Sequence, residues 1–310
     1  MKSILLLSAC ALCTVLAACA TTGGAAHAPT AAAAAATTTA AAGLEQWRAR
    51  REAQLREPDG WLSFSGSGPV HEGSASVGSA ADNVIVVPKG PAHWGTLSLQ
   101  QGQLRFDAAA DSGVTVGGQA VQSAPLLTQL EAGGPTAVHA GAQRFYVVRT
   151  GEIYGWRFRD PQSPALAAFK GVPHFAPDPS WRIEATWVAY AQPEAIELVT
   201  SNGSLEPAQI PGEARFERDG RALRLRPVTE DGGKTMFFII ADRTSGRETY
   251  GGARFLYVDA PVDGRIVLDF NRAENPPCAL NGHVVCPLPP PGNRLPIRIE
   301  AGEKTFPLQH

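Results

Sequence analysis

The chain has 310 residues, 27 Lys and Arg against 29 Asp and Glu, and a formal net charge of −2 at pH 7. That balance contains no basic stripe of the kind nucleic-acid binding requires, so nucleic acid is excluded as a partner. With 44% hydrophobic residues, 32 Gly and 25 Pro, the chain can bury a core and turn often.

The first residues read MKSILLLSACALCTVLAACA. Lys2 supplies a positive start, and the apolar run from Ile4 to Ala18 has the length of a secretory signal, short of a mature span. Leu16-Ala17-Ala18-Cys19 resembles the lipobox of bacterial lipoproteins. That resemblance implies removal of residues 1–18, acylation of Cys19 (palmitate among the chains) and an anchor in the cell envelope. Ala20 in place of Asp after the cysteine implies the outer membrane of a Gram-negative bacterium. Acyl chains contribute about 0.8 kcal/mol per buried CH₂, enough for several chains to hold the protein at the membrane.

Residues 19–43 collapse to Ala, Thr, Gly and Pro, with His27 alone among them titratable besides Cys19; this composition predicts a tether, with Thr and Gly weakening any helix. The folded part is expected from Leu44. LEQWRARREAQL (44–55) predicts a helix with Leu44, Trp47 and Leu55 on one face and its charges elsewhere, ended by Pro58-Asp59-Gly60.

Short strands are predicted from there onward. VIVV (84–87) reads as a buried run, and TLSL and QLRF bracket Gln101-Gly102 as a hairpin. RFYVVR and IYGWRFR flank a turn at 150–152, and RIEATWVAY and AIELVT flank one at 191–194. ARFER and RALRLRP surround Asp219-Gly220, a pair suited to the positive φ of a type I′ turn. TMFFIIAD, RFLYVDA, RIVLDF and LPIRIEA complete the set. The class is therefore all-β, one or more β-sandwiches with a short N-terminal helix, in two regions, 44–175 and 176–310. Residues 76–121 loosely resemble a forkhead-associated sandwich. Gly78-Ser79 replaces its Gly-Arg and no Ser-x-x-His follows, so the resemblance implies shape without phosphothreonine reading.

In the C-terminal third, DRTSGRETYGGARFL (242–256), DGRIVLDFNRAENPPC (263–278), CPLPPPGNRLP (286–296) and AGEK (301–304) resemble bacterial domain-of-unknown-function family 1684. WRARREAQLREPDGWLSFSG (47–66) is similar to its N-terminal signature, so the resemblance spans roughly Trp47 to Lys304. It implies a frequent envelope location and brings no activity with it, since none is established for that family.

Once Cys10 and Cys13 leave with the signal and Cys19 is acylated, Cys278 and Cys286 remain. An exported protein favours a disulfide, worth about 2.6 kcal/mol for so short a ring before strain. The alternatives are free thiols and a metal held by both thiols and His283; the metal lacks the fourth ligand zinc needs, so no metal is expected. Around this loop stand Asp242, Arg243, Thr244, Glu248, Tyr250, Arg254, Asp269, Asn271, Asn275, Asn293, Arg294, Glu303 and Lys304. On a strand, Asp269 and Asn271 would share one face. Glu248, Tyr250, Arg254, Asp269, Asn271, Asn275, Asn293 and Lys304 are the candidate ligand-binding residues. The other reading makes such groups supports for turns and for one another.

DFNRAEN lacks the third oxygen and the Gly of a calcium loop. His174 between Pro and Phe reads as packed, and Ser245 with Glu248 resembles a capping box. No nucleophile elbow, zinc-protease, Walker or dinucleotide motif occurs, so no cofactor is expected and no catalytic residue can be named. The expectation is an envelope lipoprotein, without enzymatic activity, that binds a ligand or protein through its C-terminal polar face. The alternative is an envelope hydrolase using carboxylates near Glu248 and Asp269.

Overall fold

The computed structural model describes residues 31–120, 122–230 and 233–306. The signal segment, Cys19 and residues 20–30 of the tether lie outside the described residues.

Helix α1 covers Ala31–Leu55 and so takes in residues 31–43, which the composition assigned to a tether. Alanine is the strongest helix former and each Thr costs less than about 0.7 kcal/mol against it, so the run joins the packed segment without a break. Leu44 and Leu55 are buried as expected, but so is Arg51, which lies on the same face rather than with the solvated charges. Among the described residues no helix is long and apolar enough to cross a membrane.

The first group of strands is β1 (Phe64–Val70), β2 (Gly73–Gly78), β3 (Ile85–Val86), β4 (Gly95–Gln100), β5 (Gln103–Ala108), β6 (Thr115–Val116), β7 (Ser123–Leu126), β8 (Val138–Ala140), β9 (Gln143–Thr150) and β10 (Ile153–Arg159). They build two five-stranded sheets, ordered β1-β10-β9-β8-β6 and β3-β2-β4-β5-β7. Alternate side chains of both sheets meet in one core that includes Val77, Trp94, Leu97, Phe106, Phe145 and Phe158. The β4–β5 and β9–β10 hairpins turn where the sequence placed them, with φ 49° at Gln101, 78° at Gly102 and 56° at Gly151. VIVV is not a buried run. Only Ile85 and Val86 form a strand, paired parallel with β2, while Val84 and Val86 are 74% and 46% exposed.

After helix α2 (Pro164–Ala168) come β11 (Arg182–Val199), β12 (Leu205–Arg218), β13 (Arg221–Leu225), β14 (Val228–Glu230), β15 (Thr235–Ile240), β16 (Arg254–Asp259) and β17 (Arg265–Asp269), then helix α3 (Pro277–Leu280). They form sheets ordered β13-β12-β11-β17 and β14-β15-β16. The Asp219-Gly220 hairpin forms, with φ 53° and 68°. The turn expected at 191–194 does not. That stretch has no residue suited to positive φ, so β11 continues through a bulge between Ala189 and Glu194. LPIRIEA is likewise no strand. It alternates buried Leu295, Ile297, Ile299 and Ala301 with exposed partners, but Leu295 and Arg243 bond across single positions instead of a ladder. Strand β15 is buried on both faces, Phe238 and Ile240 toward one core and Phe237 and Ile239 toward another. Among the described residues the fold is mostly β, with few helices and four sheets.

A fourth apolar cluster joins the two groups of sheets. Leu55 from α1, Leu62, Phe169, Val172 and Leu280 from α3 are all buried together. Asn281 fixes the join, its side-chain amide donating to the carbonyls of Phe64 at 2.8 Å and Trp61 at 3.1 Å. This seam places the Cys278–Cys286 loop against the edge strand β1.

Candidate functional site

Most of the polar residues expected to bind a ligand have inward-facing partners. Arg254 is 1% exposed; its Nη2 donates to Asp242 Oδ2 at 2.7 Å and to the Ile299 carbonyl at 3.0 Å, and its Nη1 donates to the Ala301 carbonyl. Burial pulls the guanidinium pKa down and the Asp242 charge opposes this. Asn293, fully buried, donates to the Arg226 and Ile239 carbonyls and accepts from the Arg226 N–H. Each of these side chains takes the place of a missing backbone ladder partner, as buried polar groups must.

Asp269 and Asn271 do not share a strand face. Strand β17 ends at Asp269, which caps a 3₁₀ turn over Phe270–Arg272 by accepting from the Asn271 N–H at 3.2 Å. Asn271 clasps the backbone of Asp178, accepting from its N–H and donating to its carbonyl. Asn275 N–H donates to Glu303 Oε2 at 2.6 Å, and its amide donates to the Lys304 carbonyl. The Lys304 ammonium sits 4.6 Å from the centre of the Phe175 ring. Glu248 pairs with Arg298 at 2.6 Å on the surface, which holds its carboxyl below the usual range. No helix follows Ser245; its hydroxyl accepts from the Asp242 N–H, so the capping box is not formed. The expected C-terminal binding face is therefore chiefly a supporting network.

Arg51 completes that network from α1. Its Nε lies 3.2 Å from Glu303, its Nη1 3.4 Å from Glu274, and its Nη2 donates to the Asn275 carbonyl at 2.9 Å. Burial pushes the Glu274 carboxyl up to about 7, with Arg51 opposing and Glu303 adding to the rise. Nearby His174 is half-buried and drawn below the ordinary histidine range by burial.

A different set of residues converges at the seam. Ser67 on β1 pairs directly with Arg157 on β10, so both side chains leave the outer face of that sheet. Gly155 also lies on that face; a Cβ there would stand 3.1 Å from Arg157 Nη1, so the glycine gives the guanidinium room to lie along the strand. His283, from the loop between the two cysteines, places Nδ1 3.0 Å from Ser67 Oγ. Its backbone N–H donates to Asn281 Oδ1 at 2.7 Å. Together with Asn202 and Ser204 these residues line a cavity of about 260 Å³.

Arg157 is half-buried and donates to the Trp156 carbonyl at 3.0 Å, and among the described residues it has no carboxylate partner. Burial lowers its pKa, as it lowers that of His283, where the Arg157 charge adds to the effect. A second, larger cavity of about 730 Å³ is lined by Asp269, Arg272, Glu184 and Arg265. Two of its arginines are paired, Arg272 to Asp269 at 3.5 Å and Arg265 to Glu184 at 3.7 Å, while Arg182, Asp259 and Asp263 also line it; Glu248 does not.

Comparison with known families gives a match over residues 167–304 to the family described as "Protein of unknown function (DUF1684)". Residues 167–304 are a domain of that family. An uncharacterised protein of Haloarcula marismortui, solved by solution NMR, is 34% identical; the alignment covers 45% of this chain and 78% of that one, with a TM-score of 0.39. No curated protein matches.

The DUF1684 match begins at the end of α2 and spans β11–β17, α3 and all of the polar network except Arg51, and it leaves the similar stretch at 47–66 outside it. The cavity thus draws His283, Asn202 and Ser204 from the DUF1684 part and Ser67 and Arg157 from the sheet before it. Within the DUF1684 part, Cys278 and Cys286 are free thiols in contact, with the Cys278 N–H donating to Cys286 Sγ at 3.2 Å. His283 points away from them to Ser67, and among the described residues no group of three metal-ligating side chains is found. Sequence reasoning passed over Ser67 and Arg157 because neither sits in a motif; the one available signal was the Gly66-Ser67-Gly68 spacing in an edge strand.

Proposed function

We propose that this chain is an acylated envelope protein, held at the outer membrane of a Gram-negative cell through Cys19, whose folded part binds a small anion in the cavity at the seam. The observation that carries the binding reading is Arg157: a half-buried guanidinium in a cavity, with no carboxylate among the described residues to neutralise it. Such a group favours a carboxylate or phosphoryl oxygen, which the guanidinium can hold with two parallel N–H bonds. Ser67, Ser204 and Asn202 add neutral donors around it. A volume of about 260 Å³ suits a small molecule or the charged end of a larger one.

The lipobox resemblance at Leu16–Cys19 supports the anchor. The likeness of residues 76–121 to a forkhead-associated sandwich stays within this proposal as shape alone, since β2 to β6 help to enclose a single core. A hydrolase built on Glu248 and Asp269 has less in its favour, because each carboxylate is engaged with its own arginine.

Calorimetric titration with inorganic phosphate and with acetate tests the binding reading. The wild type is expected to bind at least one of them, and Arg157→Met to weaken that binding at least tenfold while keeping the fold by circular dichroism. Equal binding by the two proteins, or no binding of either probe to the wild type, would overturn it. Cys19→Ala is expected to release the protein from the membrane fraction, and a variant that stays there would refute the anchor.

A further inference from the structure

Beyond the anion cavity, the Cys278–Cys286 loop holds a second cluster of reactive groups. Cys286 is 3% exposed and packed with Leu198, Ile210 and Phe255, whereas Cys278 is only half-buried. The Cys278 N–H donates to the Cys286 sulfur at 3.2 Å, which sets the two thiols against each other, and the Tyr250 hydroxyl lies beside Cys278. The two thiols thus differ in access: Cys278 can be reached from solvent, whereas Cys286 is enclosed.

We propose that Cys278 and Cys286 form a thiol–disulfide exchange site for the disulfide of a small thiol compound, with Cys278 attacking and Cys286 resolving. The Cys278 thiolate attacks one sulfur of R–S–S–R′; that S–S bond breaks, and R′S⁻ leaves with the electron pair and takes a proton from water. The mixed disulfide between Cys278 and R then sits beside Cys286. Cys286 loses its proton to solvent, its sulfur attacks the Cys278 sulfur, and RS⁻ leaves and is protonated in turn. The protein pair gives up two electrons and two protons, and the substrate disulfide becomes two thiols.

The electrostatics agree with this division of labour. Hydrogen bonding from Cys286 is the largest influence lowering the Cys278 thiol to about 7, with Tyr250 assisting against burial, while the same bond and burial raise Cys286. A thiol with a pKa near ambient pH is the most effective attacking group. Burial, with the neighbouring Cys278, holds Tyr250 up at about 12, so its hydroxyl stays protonated and available as a donor.

The test uses the full chain, reduced, then mixed with glutathione disulfide, with adducts located by peptide mapping to separate them from Cys10, Cys13 and Cys19. The wild type is expected to close its own disulfide and release two glutathiones. Cys286→Ser should accumulate one glutathione on Cys278, and Cys278→Ser should react at Cys286 at least a hundredfold more slowly. Tyr250→Phe should move the pH midpoint of the Cys278 reaction upward, a readout that a purely structural role would leave in place. The proposal is overturned if Cys286 in Cys278→Ser is modified as fast as Cys278 in Cys286→Ser. It is equally overturned if the closed wild-type pair resists reduced glutathione at every ratio, as a fixed crosslink would.

Discussion

Ser67 Oγ and His283 Nδ1 lie 3.0 Å apart, joining the first strand of the fold to a loop 216 positions later. That bond holds one wall of the cavity, and Asn281 holds the loop that carries it. Asn281 is 5% exposed and spends its amide on the Trp61 and Phe64 carbonyls and its oxygen on the His283 N–H. Asn281→Ala leaves three backbone groups short of a partner, and about 1–3 kcal/mol is the usual cost of one such buried loss. Urea unfolding should therefore show a drop of at least about 2 kcal/mol, and a loss within error would mean that the loop is held by packing alone.

Arg254 and Asp242 are predicted to be structural rather than ligand-binding. Their side chains are 1% and 0% exposed, and the pair is bonded to the 299–301 backbone as well as to itself. Arg254→Met strands a buried carboxylate, a change that typically costs about 3–5 kcal/mol. Glu248→Gln, which removes a surface charge, should leave the melting temperature unchanged. Were Arg254→Met stable and Glu248→Gln damaging, the network would have been misread.

The Glu274 carboxyl carries a pH signature. Its folded pKa of about 7 lies above the ordinary 4.5, so between those values the folded state binds more protons than the unfolded one. Stability from this group is then full at the acid end and is lost as pH rises from about 4.5 to about 7. The groups facing it are Arg51 and Glu303. Nearby His174, depressed by burial, works the other way, losing stability as pH falls. Glu274→Gln should remove the first trend and leave the second, so its stability should exceed that of the wild type at pH 8 and converge with it near pH 4.5. Parallel pH–stability curves for the two proteins would refute this assignment.

Much of the fold is legible in the sequence wherever a local rule decides. Asp219-Gly220 makes its hairpin because those two residues tolerate positive φ, and the alternation in Leu295–Ala301 is real burial. Burial pattern alone does not supply a hydrogen-bonding neighbour, so that segment is extended without being a strand. Arg51 was misplaced because a charge on an amphipathic helix normally faces water, and only Glu274 and Glu303, more than two hundred residues later, make its burial tolerable.

The cavity is less legible still. Ser67, Arg157 and His283 belong to no shared motif and meet only because β1 pairs with β10 and α3 docks at the seam. The dense polar motif between Asp242 and Lys304 drew attention for its composition, yet most of its side chains close backbone gaps in a loop-rich fold.

The most direct test of the anion cavity is the titration of the His283 imidazole, followed by NMR with and without inorganic phosphate. Without phosphate, burial and the Arg157 charge keep its pKa below the ordinary value. Phosphate held by Arg157 offsets that charge, so the His283 midpoint should move upward, saturate with phosphate and fail to move in Arg157→Met. A midpoint that is the same at every phosphate concentration would contradict the account.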